Sequence, residues 1–190
     1  MRRLALLLLV SVVAAGCAIS LVEPKRTTIG DAYSVEPQIR WTSLPARSGF
    51  TVWTVDGAEL EALTFVKGVT DGEVLMRGAI PGGPAEDKRP KFRAQMTPSE
   101  IAELVIDSFA LFGAQRIETS NLRPAKFGAA DGFRFEVTWI TRSGLEAQAL
   151  VAGAIVKGKL RLIYYSGARA HYFQKYRDDA ERVLASVRLQ

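Results

Sequence analysis

Phe133, Phe135, Val137 and Trp139 recur at every second position, with Arg134, Glu136 and Thr138 between them. Successive side chains of a strand point to opposite faces, so this spacing builds a strand with one dry and one wet face, as in an antiparallel sheet. The flanking sequence extends it. Ser143-Gly144 turns the chain, Leu145 to Val156 runs back, Lys157-Gly158 turns it again, and Leu160 to Tyr165 supplies the third strand of a meander. A dry sheet face needs a second layer to cover it.

Two segments have helical spacing. Thr97-Pro98-Ser99-Glu100 opens the first: Thr97 can cap the free N–H groups, Glu100 stands at the third helical position, and Pro98 loses no hydrogen bond at the first. Ile101, Leu104, Val105, Ser108 and Phe112 follow on one stripe, which reads as core, and Gly113 ends the helix at 97–112. The second spans about 170–187, with Tyr172, Tyr176, Ala180, Val183, Leu184 and Val187 along one face.

Strand signals fill the first half. Tyr33 to Glu36 is stopped by Pro37, and Ile39-Arg40-Trp41 is a short candidate. Phe50 to Val55, the turn pair Asp56-Gly57 and Leu60 to Lys67 form a hairpin. Glu73 to Arg77 and Gln115 to Asn121 are further candidates, Lys126 starts another, and Ala130-Asp131-Gly132 reads as a turn. Residues 78–95 form a long loop with a turn cluster at Pro81-Gly82-Gly83-Pro84. Its basic residues Lys88, Arg89, Lys91 and Arg93 are candidate contacts for anionic headgroups or an acidic partner, although Glu86 and Asp87 dilute them. The order predicts an α+β fold: an antiparallel sheet, made of a hairpin plus a three-strand meander, flanked by two main helices.

The N-terminus carries a different kind of signal. Leu4 to Ala15 is apolar but for Ser11, and Arg2 and Arg3 precede it. Twelve helical residues reach only about 18 Å, short of the roughly 30 Å hydrocarbon core, so the block reads as an export signal. It ends in Val13-Ala14-Ala15-Gly16-Cys17, which resembles the lipobox of bacterial lipoproteins, with Ala14 where leucine is commonest. The resemblance implies cleavage between Gly16 and Cys17 and acylation of Cys17 by a diacylglycerol thioether and a palmitate-type chain. It divides the chain into a signal peptide at 1–16, a lipidated cysteine and tether at 17–28, and a single domain at 29–190. Chemistry favours it, since a lone thiol is an odd leftover in an oxidising compartment. Ala18, which is not Asp, leans toward the outer membrane. The expected location is the cell envelope, lipid-anchored and facing the periplasm.

Composition narrows the chemistry. One Cys excludes a zinc site built on thiolates, and one His, His171, excludes a cluster of imidazoles. His171 sits near the start of the second helix, at its edge, and no Gly-x-Ser-x-Gly elbow accompanies it. No phosphate-cradling glycine loop and no Asp-x-Asp-x-Asp-Gly calcium loop occurs. Asp178 and Asp179 point about 100° apart on a helix and read as solvent-facing charges. The formal charge of +5 falls to +3 once Arg2 and Arg3 leave with the signal, too little to argue for nucleic acid. Trp41, Trp53, Trp139, Tyr164 and Tyr165 sit on strands and read mostly as core; Trp41, on a short strand among polar neighbours, is the candidate for an open groove.

From about residue 30 onward the order is similar to the PsbP/Mog1-like fold. There a capped helix precedes a meander and the chain closes with a helix after a phrase like Leu162-Ile163-Tyr164-Tyr165-Ser166-Gly167, then Phe173 and Ser186-Val187-Arg188-Leu189. The resemblance implies a mostly non-enzymatic binding or assembly factor. The expectation is a membrane-anchored lipoprotein whose domain binds an envelope protein, lipid or cell-wall partner, with no catalytic residues, metal or cofactor. The alternatives are a structural subunit of an envelope complex, or a hydrolase in which two carboxylates converge.

Overall fold

A computed structural model describes residues 19–45, 49–78, 80 and 82–190. The lipobox with Gly16 and Cys17 lies outside the described residues. Among those described, the strands are β1 Ser20–Val22, β2 Thr27–Ile29, β3 Tyr33–Val35, β4 Trp41–Ser43, β5 Phe50–Thr54, β6 Glu61–Val69, β7 Gln115–Phe127, β8 Ala130–Ile140, β9 Glu146–Val156, β10 Lys159–Ala168 and β11 Arg188–Leu189. The helices are α1 Pro98–Leu111 and α2 Tyr172–Ala185. The fold is α+β, as the periodicities require.

Eight strands form one antiparallel sheet in the order β1-β4-β5-β6-β10-β9-β8-β7, and β11-β3-β2 form a second, small one. The predicted hairpin and meander are adjacent, joined through β6 and β10, where Tyr164 pairs with Thr64. Both faces of the large sheet are covered. On one, Phe135, Val137, Val151 and Leu162 pack with Ile101, Leu104 and Val105 of α1. On the other, Phe65, Leu150 and Ile163 pack with Phe173, Ala180 and Val183 of α2 and with Tyr33 of the small sheet. This double cover explains why β9 reads as a continuous apolar run while β8 alternates. The polar face of β8 is not left in water; Arg134 pairs with Glu181 at 2.7 Å and Glu136 with Arg177 at 3.2 Å, clamping α2 to the sheet.

The start of α1 is built as its sequence predicts. Thr97 Oγ1 accepts from the Glu100 N–H, and a Glu100 carboxylate oxygen accepts from the Thr97 N–H at 2.8 Å. Thr97→Ala removes that cap and is expected to lower unfolding stability by about 1 kcal/mol in urea titration.

Four expectations are corrected. The segment read as a tether is folded: Val22 of β1 pairs with Trp41, and Ile29 of β2 with Tyr33. Glu73–Arg77 gives no strand, only a bridge from Val74 to Lys91. Ala130-Asp131-Gly132 belongs to β8, and the chain turns at Gly128-Ala129 instead. The two strand candidates at 115–127 are one edge strand, β7, interrupted by irregularities between Gln115 and Glu118 and between Ser120 and Arg123. Arg116 and Asn121 there adopt positive φ of 50° and 57°. Bulges and Pro124 blunt this exposed edge against pairing with another chain.

The small sheet joins the two ends of the described chain. Arg188 pairs with Ser34, and the Gln190 N–H donates to the Ala32 carbonyl at 3.2 Å. The buried Arg161 guanidinium donates to that same Ala32 carbonyl.

Candidate functional site

The sheet surface that α1 covers runs on past the end of the helix. The helix stops at Leu111, with Phe112 as C-cap and Gly113 at φ 93°. A left-handed residue ends the helix, and glycine adopts it without strain. A second constraint acts at the same place, because a Cβ on Gly113 would overlap Arg142 Nε. The chain therefore turns tightly beneath the Arg142 side chain and leaves the ends of β8 and β10 uncovered.

The result is a cleft of about 430 Å³, lined by Phe109, Phe112, Trp139 and Tyr164 among others. Phe109 forms one wall, edge-to-face with Trp139 at 5.2 Å and with Tyr164 at 5.7 Å between ring centroids. Such pairs are held in fixed relative orientation. Phe112 is exposed at the mouth. An adjoining hollow of about 180 Å³ shares Glu59, Trp139, Thr141 and Ser166 with the cleft and adds Leu60, Leu145 and Ala147. Leu145 is exposed. Arg142 and Glu59 contribute one charge of each sign, and Thr141, Ser143 and Ser166 contribute hydroxyls. Burial holds the Tyr164 phenol above its ordinary value, so it stays protonated. Two apolar depressions with a few polar groups between them suit a ligand that inserts apolar groups and hydrogen-bonds at the rim.

Of the acids near this surface, Glu59 is exposed and Glu61 is committed elsewhere. Glu61 Oε1 accepts from Thr54 Oγ1 at 2.7 Å, from the Val55 N–H at 2.6 Å and from the Asp56 N–H at 2.9 Å, which fixes the β5–β6 turn that carries Glu59. Its Oε2 is buried without a partner. Burial outweighs those three donors and pushes the carboxyl above its ordinary value. The folded state therefore keeps a proton that the unfolded chain releases, so this group's contribution to stability falls as pH rises from the ordinary carboxylate value through the raised one. Glu61→Gln is expected to flatten that fall: the gap in unfolding free energy between variant and parent should move in the variant's favour from about pH 4.5 upward in urea titrations.

Among the described residues, no three His, Cys, Asp or Glu side chains are grouped as a metal site would need. His171 is exposed at the N-terminal cap of α2, makes no side-chain cap bond there, and lies edge-on to Tyr172 at 4.9 Å.

Several sequence-selected residues lie elsewhere. Trp41 faces no groove; it is 1% exposed, because its Nε1–H donates to Asp179 Oδ2 at 2.8 Å and its ring stands edge-on to Tyr165. Asp179 correspondingly does not face solvent: it is 4% exposed and also accepts from the Gln38 N–H at 2.8 Å. Arg89 is withdrawn from the basic run. It is 7% exposed and donates to the carbonyls of Pro84 at 3.1 Å and Gly78 at 2.7 Å, stapling its own loop. Lys88 and Lys91 are exposed, and Arg93 pairs with Glu100 at 3.4 Å. The four basic residues do not form one patch. The cleft residues were legible only as core. Phe109 followed by Phe112 near a helix-ending glycine, and Trp139 at the last position of its alternating strand, are the signals that aromatic surface overruns its cover.

No family model and no curated protein matches the chain. Among solved structures, it resembles the solution structure of cyanobacterial PsbP (CyanoP) from Synechocystis sp. PCC 6803, at 14% identity over 96% of this chain and 99% of that one, with a TM-score of 0.51. A further match is the crystal structure of LpqN, involved in cell envelope biogenesis of Mycobacterium tuberculosis, at 6% identity over 91% and 84% of the two chains, with a TM-score of 0.40. The fold is thus PsbP-like, an antiparallel sheet with two flanking helices.

Proposed function

We propose that the chain is an envelope lipoprotein, anchored through Cys17, whose domain is a non-catalytic module that binds an apolar segment of a partner protein in the aromatic cleft. The observation that carries the binding role is the wall formed by Phe109, Trp139 and Tyr164, open to solvent beside exposed Phe112 and Leu145. Rigid rings at the end of a covered sheet form a preorganised pocket, and large amphipathic or aromatic side chains are the groups that make such pockets bind. The two depressions match a segment that offers two apolar side chains in turn. Anchoring rests on the lipobox residues Val13 to Cys17, and Ala18 favours the outer membrane face. Two or more acyl chains hold a protein to a bilayer stably.

Two measurements test this. Cys17→Ser should move the protein from the membrane fraction to the soluble one, and unchanged membrane association would overturn the anchor. A photo-crosslinker placed at Phe112 and, separately, at Leu145 should capture the same protein in intact cells, and Trp139→Ala should abolish both adducts. A crosslinker at Ser99, on the far end of α1, should not capture it. Absence of a shared adduct, or its persistence with Trp139→Ala, would overturn the role of the cleft.

A further inference from the structure

We infer that the β1 edge of the large sheet lies directly on the phospholipid surface, with Ile19 and Leu21 in the headgroup zone; this rests on the anchor at Cys17 and adds an orientation to it. The first argument is chain length. Ser20 is already paired with Ser43, and only three residue steps separate it from Cys17. At 3.8 Å per step they reach at most roughly 11 Å. A lipid-bearing Cys17 therefore leaves the domain no freedom to stand away from the bilayer.

The second argument is the surface that this short leash brings down. Ile19 is 66% exposed and Leu21 59%, the two most exposed large apolar residues among those described. They are two positions apart, so along an extended chain they point the same way. Leu21 pairs with Thr42 on the sheet face that α1 covers farther along. Here that face is thinly covered: Leu44 and Val52, joined by the Leu44 N–H donating to the Val52 carbonyl at 2.9 Å, are only half-buried. An apolar corner of Ile19, Leu21, Leu44 and Val52 thus sits next to the attachment point.

The backbone limits how deep this corner goes. As an edge strand, β1 has one side without a strand partner. Unpaired backbone groups are not tolerated in hydrocarbon. Glu23 and Arg40, paired at 3.3 Å and exposed, flank the corner with charge. Contact at headgroup depth satisfies all three features, since apolar side chains reach the acyl boundary while backbone and charges stay hydrated.

The mature chain beginning at Cys17 has that residue as its only thiol, which allows a direct test. The protein is coupled through it to a maleimide diacyl lipid and placed in phosphatidylcholine bicelles containing a small share of lipid with a gadolinium-chelating headgroup. NMR relaxation enhancement at the amides of Ile19–Val22 and Thr42–Leu44 should exceed that along β7 several-fold. The double variant Ile19→Glu, Leu21→Glu, which alters only exposed side chains and keeps the short leash, should lower the enhancement at Thr42–Leu44 several-fold while that beside the lipid, at residue 19, persists. A level profile in the parent, or a maximum on β7, α2 or the cleft, would overturn this orientation. Mass spectrometry of the native protein separates the two claims: acylated Cys17 with a level profile leaves the anchor standing and removes the flat docking, whereas bare Cys17 removes the anchor itself.

Discussion

Asp179→Ala should lower the unfolding free energy by about 3 kcal/mol, read as a shifted urea midpoint with an unchanged slope. The carboxylate accepts from two donors on a distant part of the chain, the Gln38 N–H and the Trp41 indole N–H. Truncation orphans both and leaves a cavity beside a fully buried indole. Relief of the carboxylate's own desolvation offsets part of this, which keeps the figure below the sum of the separate penalties. Asp179→Asn keeps the shape but turns one acceptor into a donor that confronts an N–H, so it should lie between the parent and the alanine variant. Trp41→Phe should also destabilise, because it leaves Asp179 Oδ2 without its indole donor and replaces a fully buried bicyclic ring by a smaller one. A neutral Asp179→Ala would mean that the contact between α2 and β4 is not holding the helix in place.

Gly153→Ala should cost about 3 kcal/mol or more, and Gly153→Val should yield no folded protein. The position lies on β9 opposite Leu162 and Phe133, in the middle of the large sheet. A Cβ there would overlap the Arg161 carbonyl oxygen and Leu162 Cδ2. The first of these is backbone inside a sheet and cannot move without breaking the β9–β10 ladder. Gly132 reinforces the constraint, since a Cβ on it would overlap the Gly153 carbonyl oxygen. Circular dichroism and urea titration of the alanine variant give the cost, and a parent-like midpoint would show that the strands have room to separate.

Local chemistry made much of this fold readable. The capping box of α1, the Asp56-Gly57 hairpin and the alternation of β8 each depend on residues close in sequence. Trp41 and Arg89 were misjudged for the opposite reason. Polar neighbours suggest exposure, but Trp41 is buried by an aspartate 138 positions away, and Arg89 by carbonyls of its own irregular loop. β7 is legible only in two pieces, Gln115 to Asn121 and from Lys126, because irregularities break its register and nearly all its side chains are exposed. β1 and β2 hid because each is three residues long and borders or overlaps the polar stretch Glu23 to Thr28, which reads as a linker. The cleft was invisible for a subtler reason: Phe109, Trp139 and Tyr164 each obey the core spacing of their own element, and only the helix's early stop leaves them open.

The joining of β11 to β3 decides when this protein can acquire its structure. Residues 188–189 complete a sheet whose other members come from residues 27–35, and the central ladder unites residues 61–69 with 159–168. The early strands pair with one another, β1 with β4, β4 with β5, β5 with β6 and β2 with β3, but the second partners of β6 and β3 come from residues 159–189. Such long-range pairing also closes slowly. The run β4-β5-β6 and the β2–β3 pair therefore each carry an open edge, at β6 and at β3, until residues 159–189 are present to close it.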